Sequence, residues 1–218
     1  MTTKRVRSVS ATLALGGALA LSSCTGLDIV GDNQSPFVMT VSDIEGKSGA
    51  GGDPSCAGSQ TGSILYSDVS CLINDDASVT VSILRKNPNV LDTGPLEAIF
   101  LQRYEVRFTR SDGRDVEGVD VPFRFTGPLN ARLDAPDSSS VTTESVPVNI
   151  VRHQAKLEPP LKNIIGWFSQ STEPGGAPQV SGAGVLTTVA EITIHGTTLS
   201  GEGLVASARL QVTFADFQ

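Results

Sequence analysis

The chain reads as an all-β protein, a sandwich of two antiparallel sheets. Three observations carry that expectation. Segments such as LQRYEVRFT, Leu101 to Thr109, alternate apolar and polar residues at period two, the signature of a half-buried strand. Such segments are separated by loops rich in Gly, Pro and Asp, with no strand–helix–strand alternation. No stretch has a convincing helical period: Leu157 to Ile165 is the one candidate, and Pro159-Pro160 confines it to a turn or two. An immunoglobulin-like arrangement is the first expectation and a jelly roll the second.

Taken in order, the elements begin after a signal-like N-terminus. Lys4, Arg5 and Arg7 form a positive cluster, and Val9 to Leu21 is apolar apart from Ser, Thr and Gly. This run is too short to span a bilayer and fits the first two parts of a secretory signal. Thr25 to Pro36 is polar, without a buried-face period, and reads as a tether reaching on the order of 20 Å. The expected domain then occupies residues 37–218.

Its first strand is Phe37 to Val41, followed by a long Gly- and Ser-rich loop, Gly46 to Gly62. Strands are expected at Ser63 to Val69 and Val79 to Leu84. In Leu101 to Thr109, Tyr104, Val106 and Phe108 share one face and Arg103, Glu105 and Arg107 the other. Asp112-Gly113 then predicts a tight hairpin returning through VDVPFRF, where Val121, Phe123 and Phe125 alternate with polar neighbours. Pro122 marks an edge or bulge there. Val146 to Leu157 follows, and then a closing long hairpin in which Ala190, Ile192 and Ile194 share one face of the first strand and Ala206, Ala208, Leu210, Val212 and Phe214 one face of the second, with Thr197 to Gly203 connecting them.

Leu21-Ser22-Ser23-Cys24, placed directly after the apolar run, resembles the lipobox of bacterial lipoproteins over roughly the first tenth of the chain. The resemblance implies cleavage after residue 23, a lipidated Cys24 as the first mature residue, and attachment to the cell envelope. Two or three acyl chains hold a protein on a membrane where one does not. Thr25, in the place where Asp acts as a retention signal in enteric bacteria, favours the outer membrane over the inner. The YEVRFTRSDGRDVEGVDVPFRF block and the terminal AEITIHG and LQVTFADF segments, about half the chain, are similar to a group of uncharacterised bacterial lipoproteins with an Ig-like domain. That likeness implies a fold and no activity.

The formal net charge is −7. Loss of Lys4, Arg5 and Arg7 with the signal makes the mature chain more acidic still, which argues against nucleic acid and against docking on anionic lipid. With Cys24 assigned to lipid, Cys56 and Cys71 remain as a pair in an oxidising compartment, so a disulfide is expected, worth roughly 3 kcal/mol on the chain-entropy model.

The chemistry-bearing residues are sparse. His153 and His195 lie on strands without a nucleophile motif beside either, so both read as solvated or hydrogen-bonded strand residues. Gly201, Gly203 and Ala206 match a loose dinucleotide fingerprint but precede a strand, so no nucleotide cofactor is expected. No metal site is assigned. Calcium has weak candidates in Asp75 and Asp76, beside Asn74, and in Asp112, Asp115 and Asp120, around Glu117, though turn chemistry explains such clusters equally. Asp134 and Asp137 read as turn residues. Trp167 and Phe168 are expected in the core, with an aromatic platform for a sugar or partner as the alternative. Asn33-Gln34-Ser35 is a formal glycosylation sequon without meaning in a bacterial cell.

The functional expectation is a non-enzymatic binding or structural module, tethered to the envelope by lipid and contacting another envelope protein or a glycan. The rival is a hydrolase or metal-dependent enzyme whose site is assembled from distant loops; burial of His153 or His195 beside a carboxylate would favour it.

Overall fold

The computed structural model describes residues 35–48, 61–87, 89, 97–137, 140–164 and 184–216. Its strands are β1 (Phe37–Lys47), β2 (Thr61–Gly62), β3 (Ile64–Asp68), β4 (Asp75–Arg85), β5 (Ile99–Thr109), β6 (Phe125–Leu133), β7 (Val141–Val151), β8 (Val185–Thr198) and β9 (Gly203–Ala215). A single helical turn, α1 (His153–Lys156), and a 3-10 turn at Leu161–Asn163 follow β7.

The strands form two sheets, β2-β1-β4-β7 and β3-β9-β8-β5-β6. Their inner faces meet in one apolar core. Phe37, Met39, Val79, Val81, Ile83, Val146 and Val148 of the first sheet pack with Leu101, Val106, Phe108, Ile192, Ile194, Val212 and Phe214 of the second. Period-two alternation decides which side chains enter it. In β8, buried residues alternate with half-buried or exposed ones from Val185 to Thr198, as the sequence pattern demands.

The structure corrects the expected antiparallel pairing in one place: β3 runs parallel to β9, from Ile64 opposite Gln211 to Asp68 opposite Ala215. Bare periodicity carries no direction, so only the chain path reveals it. A second correction concerns β5. Its register with both neighbours shifts between Leu101 and Arg103, and the extra residue turns Leu101 back into the core beside the Tyr104–Val106–Phe108 face.

The predicted tight hairpin at Asp112-Gly113 is also absent. Gly113 adopts φ 77°, as a turn glycine should, but the returning strand starts only at Phe125. Val121 joins an isolated bridge with Glu117, and Pro122 lies in the loop. The strand starting at Val79 in the sequence reading begins four residues earlier, so Asp75 and Asp76 are strand residues.

Candidate functional site

The connection between β5 and β6, residues 110–124, is the most elaborated loop among the described residues. Asp112 organises its first half. Its carboxylate accepts from Arg110 Nε at 3.0 Å and a second Arg110 guanidinium nitrogen at 2.6 Å, and from the backbone N–H and Nε of Arg114 at 3.2 and 3.0 Å. These donors hold the exposed Asp112 carboxyl well below the usual carboxylate range, the Arg110 hydrogen bonds being the largest cause. Asp115 accepts the Arg110 backbone N–H at 2.7 Å.

The second half folds on Val116, whose carbonyl accepts the backbone N–H groups of Val119, Asp120 and Val121. Asp120 accepts the Val116 N–H at 3.3 Å, and Glu117 pairs with Arg124 at 3.3 Å. Gly118 takes φ 76°, and the Phe123 ring lies against it so closely that a Cβ would run into the ring. This frame leaves Val116, Val119 and Phe123 at 59, 67 and 45 % exposure. These three apolar side chains thus stand exposed on a loop braced by its own hydrogen bonds and ion pairs.

The calcium candidates fall into two separate places. Asp112, Asp115 and Asp120 spend their oxygens on the loop's own guanidinium and N–H donors. Asp75 lies in β4, 1 % exposed, where it meets Lys156 Nζ at 2.9 Å and Ser67 Oγ at 2.6 Å. Lys156 Nζ also donates to the Cys71 carbonyl at 2.9 Å. Asp76 faces outward, and burial together with the neighbouring Asp75 charge raises its pKa. Among the described residues, no group of three or more His, Cys, Asp or Glu side chains is arranged to hold a metal ion.

His153 is exposed at the start of α1, with its backbone N–H 2.8 Å and Nδ1 3.2 Å from Asn74 Oδ1. His195 is half-buried on the outer face of the second sheet, opposite Arg103 on β5 and Val205 on β9. Burial first, then the Arg103 charge, lowers its pKa, while Glu105 raises it. Gly201 takes φ 91° in the β8–β9 turn and Gly203 opens β9, so the fingerprint residues form a hairpin turn. Asp134 pairs with Arg132 at 2.9 Å, and the Asp137 carbonyl accepts the Ser140 N–H.

Cys24, Cys56, Asn33, Trp167 and Phe168 lie outside the described residues; Cys71 is buried just after β3. The Lys156–Asp75–Ser67 cluster is not legible in the sequence, since nothing in HQAKLEPP marks its lysine as buried. Nor is the apolar tip: a valine pair three residues apart in an acidic loop carries no motif.

No protein-family model matches the chain, and no curated protein matches it. Two solved structures align over 83 % of it: a structural genomics target, SoR45, at 11 % identity over 86 % of that chain, and a candidate ApaA protein from Bordetella pertussis at 13 % identity over 95 % of that chain. Both superpose with a TM-score of 0.29, which carries no argument about fold or function.

Proposed function

We propose that this protein is a lipid-anchored, non-enzymatic binding module of the bacterial cell envelope, an Ig-like sandwich that docks another envelope protein through the loop 110–124. The exposed Val116, Val119 and Phe123 on their self-satisfied frame carry the reading. Exposed apolar side chains on a braced loop that also carries the charged pairs Arg110–Asp112, Arg114–Asp112 and Glu117–Arg124 fit the apolar core and polar rim of a protein interface. Its internal hydrogen bonds reduce the cost of ordering this loop on binding. A lipid surface is the poorer partner: Asp112, Asp115, Glu117 and Asp120 outnumber Arg110, Arg114 and Arg124, so anionic headgroups are repelled.

Strand order favours the Ig-like arrangement over a jelly roll. Assigning β1, β4 and β7 as strands A, B and E, and β3, β9, β8, β5 and β6 as A′, G, F, C and C′, reproduces neighbours of that fold, with the loop 110–124 joining C to C′. The lipid anchor rests on the sequence Leu21 to Cys24 and on the resemblance described above.

In-cell crosslinking of the full chain followed by mass spectrometry tests the proposal. One envelope protein is expected to be captured through residues 110–124, and the triple variant Val116→Asp, Val119→Asp, Phe123→Ser to lose it with an unchanged thermal midpoint. Undiminished capture by the triple variant, or crosslinks confined to other faces, refutes the docking loop.

A further inference from the structure

We infer that the free edge of β7 is a self-association site, at which two copies of this chain pair antiparallel through residues 141–145 and join their first sheets into one continuous sheet. The inference rests on β7 alone and is independent of the loop 110–124.

Among the described residues β7 ends its sheet, pairing with β4 on one side only. Two observations fix which of its residues turn their backbone outward. The Asn149 N–H leaves the β4 ladder and donates to Tyr104 Oη at 3.2 Å. Pro147, with no N–H to give, occupies a position of the same parity, where an edge strand tolerates it. The register with β4 runs without a shift from Asn149 to Val141. Ser145, Thr143 and Val141 therefore also present their N–H and C=O groups to the open side.

Native sheets blunt such edges with short strands, prolines, bulges or charge. The other described edges conform: β2 has two residues, β1 beyond its short pairing with β2 is bulged between Val41 and Asp43 and carries Asp43 and Glu45, β6 carries Pro128, and β3 is buried or half-buried throughout. In β7 the proline comes only at 147, and residues 141–145 are exposed apart from the half-buried Thr142, while Val146 turns into the core. Val141, half exposed, also ends an apolar row across the outer face, with Leu84 and Val38 beside it at 44 and 36 % exposure.

Charge selects the occupant and the register. A chain of net charge −7 repels its own copies over most of its surface, but residues 141–145 hold one charge, Glu144. A two-fold axis through Thr143 sets Thr143 against Thr143 of the other copy, Val141 against Ser145, and Glu144 against Thr142. All three outward residues then exchange hydrogen bonds with outward residues. Moving the axis one residue toward the C-terminus, a two-residue slip of the strands, opposes Glu144 with Glu144, which is destabilising, and Pro147 ends the pairing beyond Ser145.

The test is sedimentation of the full chain in detergent micelles, with a cysteine substitution as reporter. A dimer is expected, and Thr143→Cys forms an interchain disulfide on oxidation, because directly opposed strand residues lie within disulfide reach. Thr143→Pro removes only an outward N–H, as Pro147 already does, and is expected to yield a monomer with unchanged circular dichroism. Thr143→Lys, which opposes like charges without touching the backbone, is expected to do the same. A monomeric wild type overturns the proposal, as does a dimer that survives both substitutions or that fails to crosslink through Thr143→Cys. Protection of the 141–145 amides from hydrogen exchange in envelope fractions, with the purified chain monomeric, would assign the edge to a strand of another protein and likewise overturn it.

Discussion

Lys156 is fully buried, and a lysine reaches that state only with partners for its charge. Asp75 and the Cys71 carbonyl supply them, tying the single turn α1 to the start of β4 and the end of β3. Removing one partner strands the other charge in the core. Lys156→Met is expected to cost about 3–5 kcal/mol, and the double variant Lys156→Met, Asp75→Leu to recover most of it, because well-packed apolar groups can replace a buried pair. Urea unfolding of the two variants checks this, and a double variant no more stable than the single would show that Asp75 has a separate structural role.

A second prediction at the residue scale concerns His195, whose folded pKa lies below its ordinary 6.5. The unfolded chain then binds the proton more readily than the folded one, so the contribution of His195 to stability is present above 6.5 and lost as pH falls through the folded value. Stability measured across that window should decline toward acid, and His195→Gln should flatten the decline. An unaltered slope in the variant would remove His195 as its cause. Asp76, with a raised pKa, acts in the opposite sense and at lower pH, its contribution present below 3.8 and lost as pH rises.

Among the elements, β5 and β6 show how backbone space is used. The Tyr104 ring covers Gly127 so closely that a Cβ would overlap it, and the same ring meets Phe125 edge-on at 6.3 Å while its hydroxyl accepts from Asn149 across the two sheets. Arg152 stacks over the other aromatic, 4.5 Å from the Phe125 centroid. Gly127→Ala must displace Tyr104 and is expected to cost about 1–3 kcal/mol, the range of overpacked sites. A thermal melt of that variant indistinguishable from wild type would mean the ring has room to move. The β8–β9 hairpin was legible in sequence, because Ala190, Ile192 and Ile194 on β8 and Ala206, Leu210, Val212 and Phe214 on β9 are buried at period two, with Ala208 of the same face half-buried opposite Ile192. The β5–β6 connection was not: Asp112-Gly113 has the chemistry of a tight hairpin, but Asp112 is engaged by Arg110 and Arg114 and a second turn forms around Val116, so the strands rejoin only at Phe125.

For the whole molecule, lipid attachment would set the scale of its motion. If Cys24 carries the acyl chains, Cys24→Ser should leave the membrane pellet and appear in the soluble fraction with its signal processed differently, since in bacterial lipoproteins such a cysteine is both acylated and the first mature residue. A variant that still sediments with membranes and keeps the native cleavage pattern would dismiss the anchor. By itself, the sequence determined the all-β class, the faces of its most regular strands and the acidity of the surface, because these follow from period and composition summed over many residues. Only the tertiary structure decided the parallel β3–β9 pair, the buried Lys156–Asp75 contact, the apolar tip at Val116, Val119 and Phe123, and the open edge of β7. The parallel pair, the buried contact and the open edge depend on residues far apart in the chain being brought together or left apart, and the tip depends on how two successive turns close around Asp112 and Val116; a periodic pattern holds no record of either.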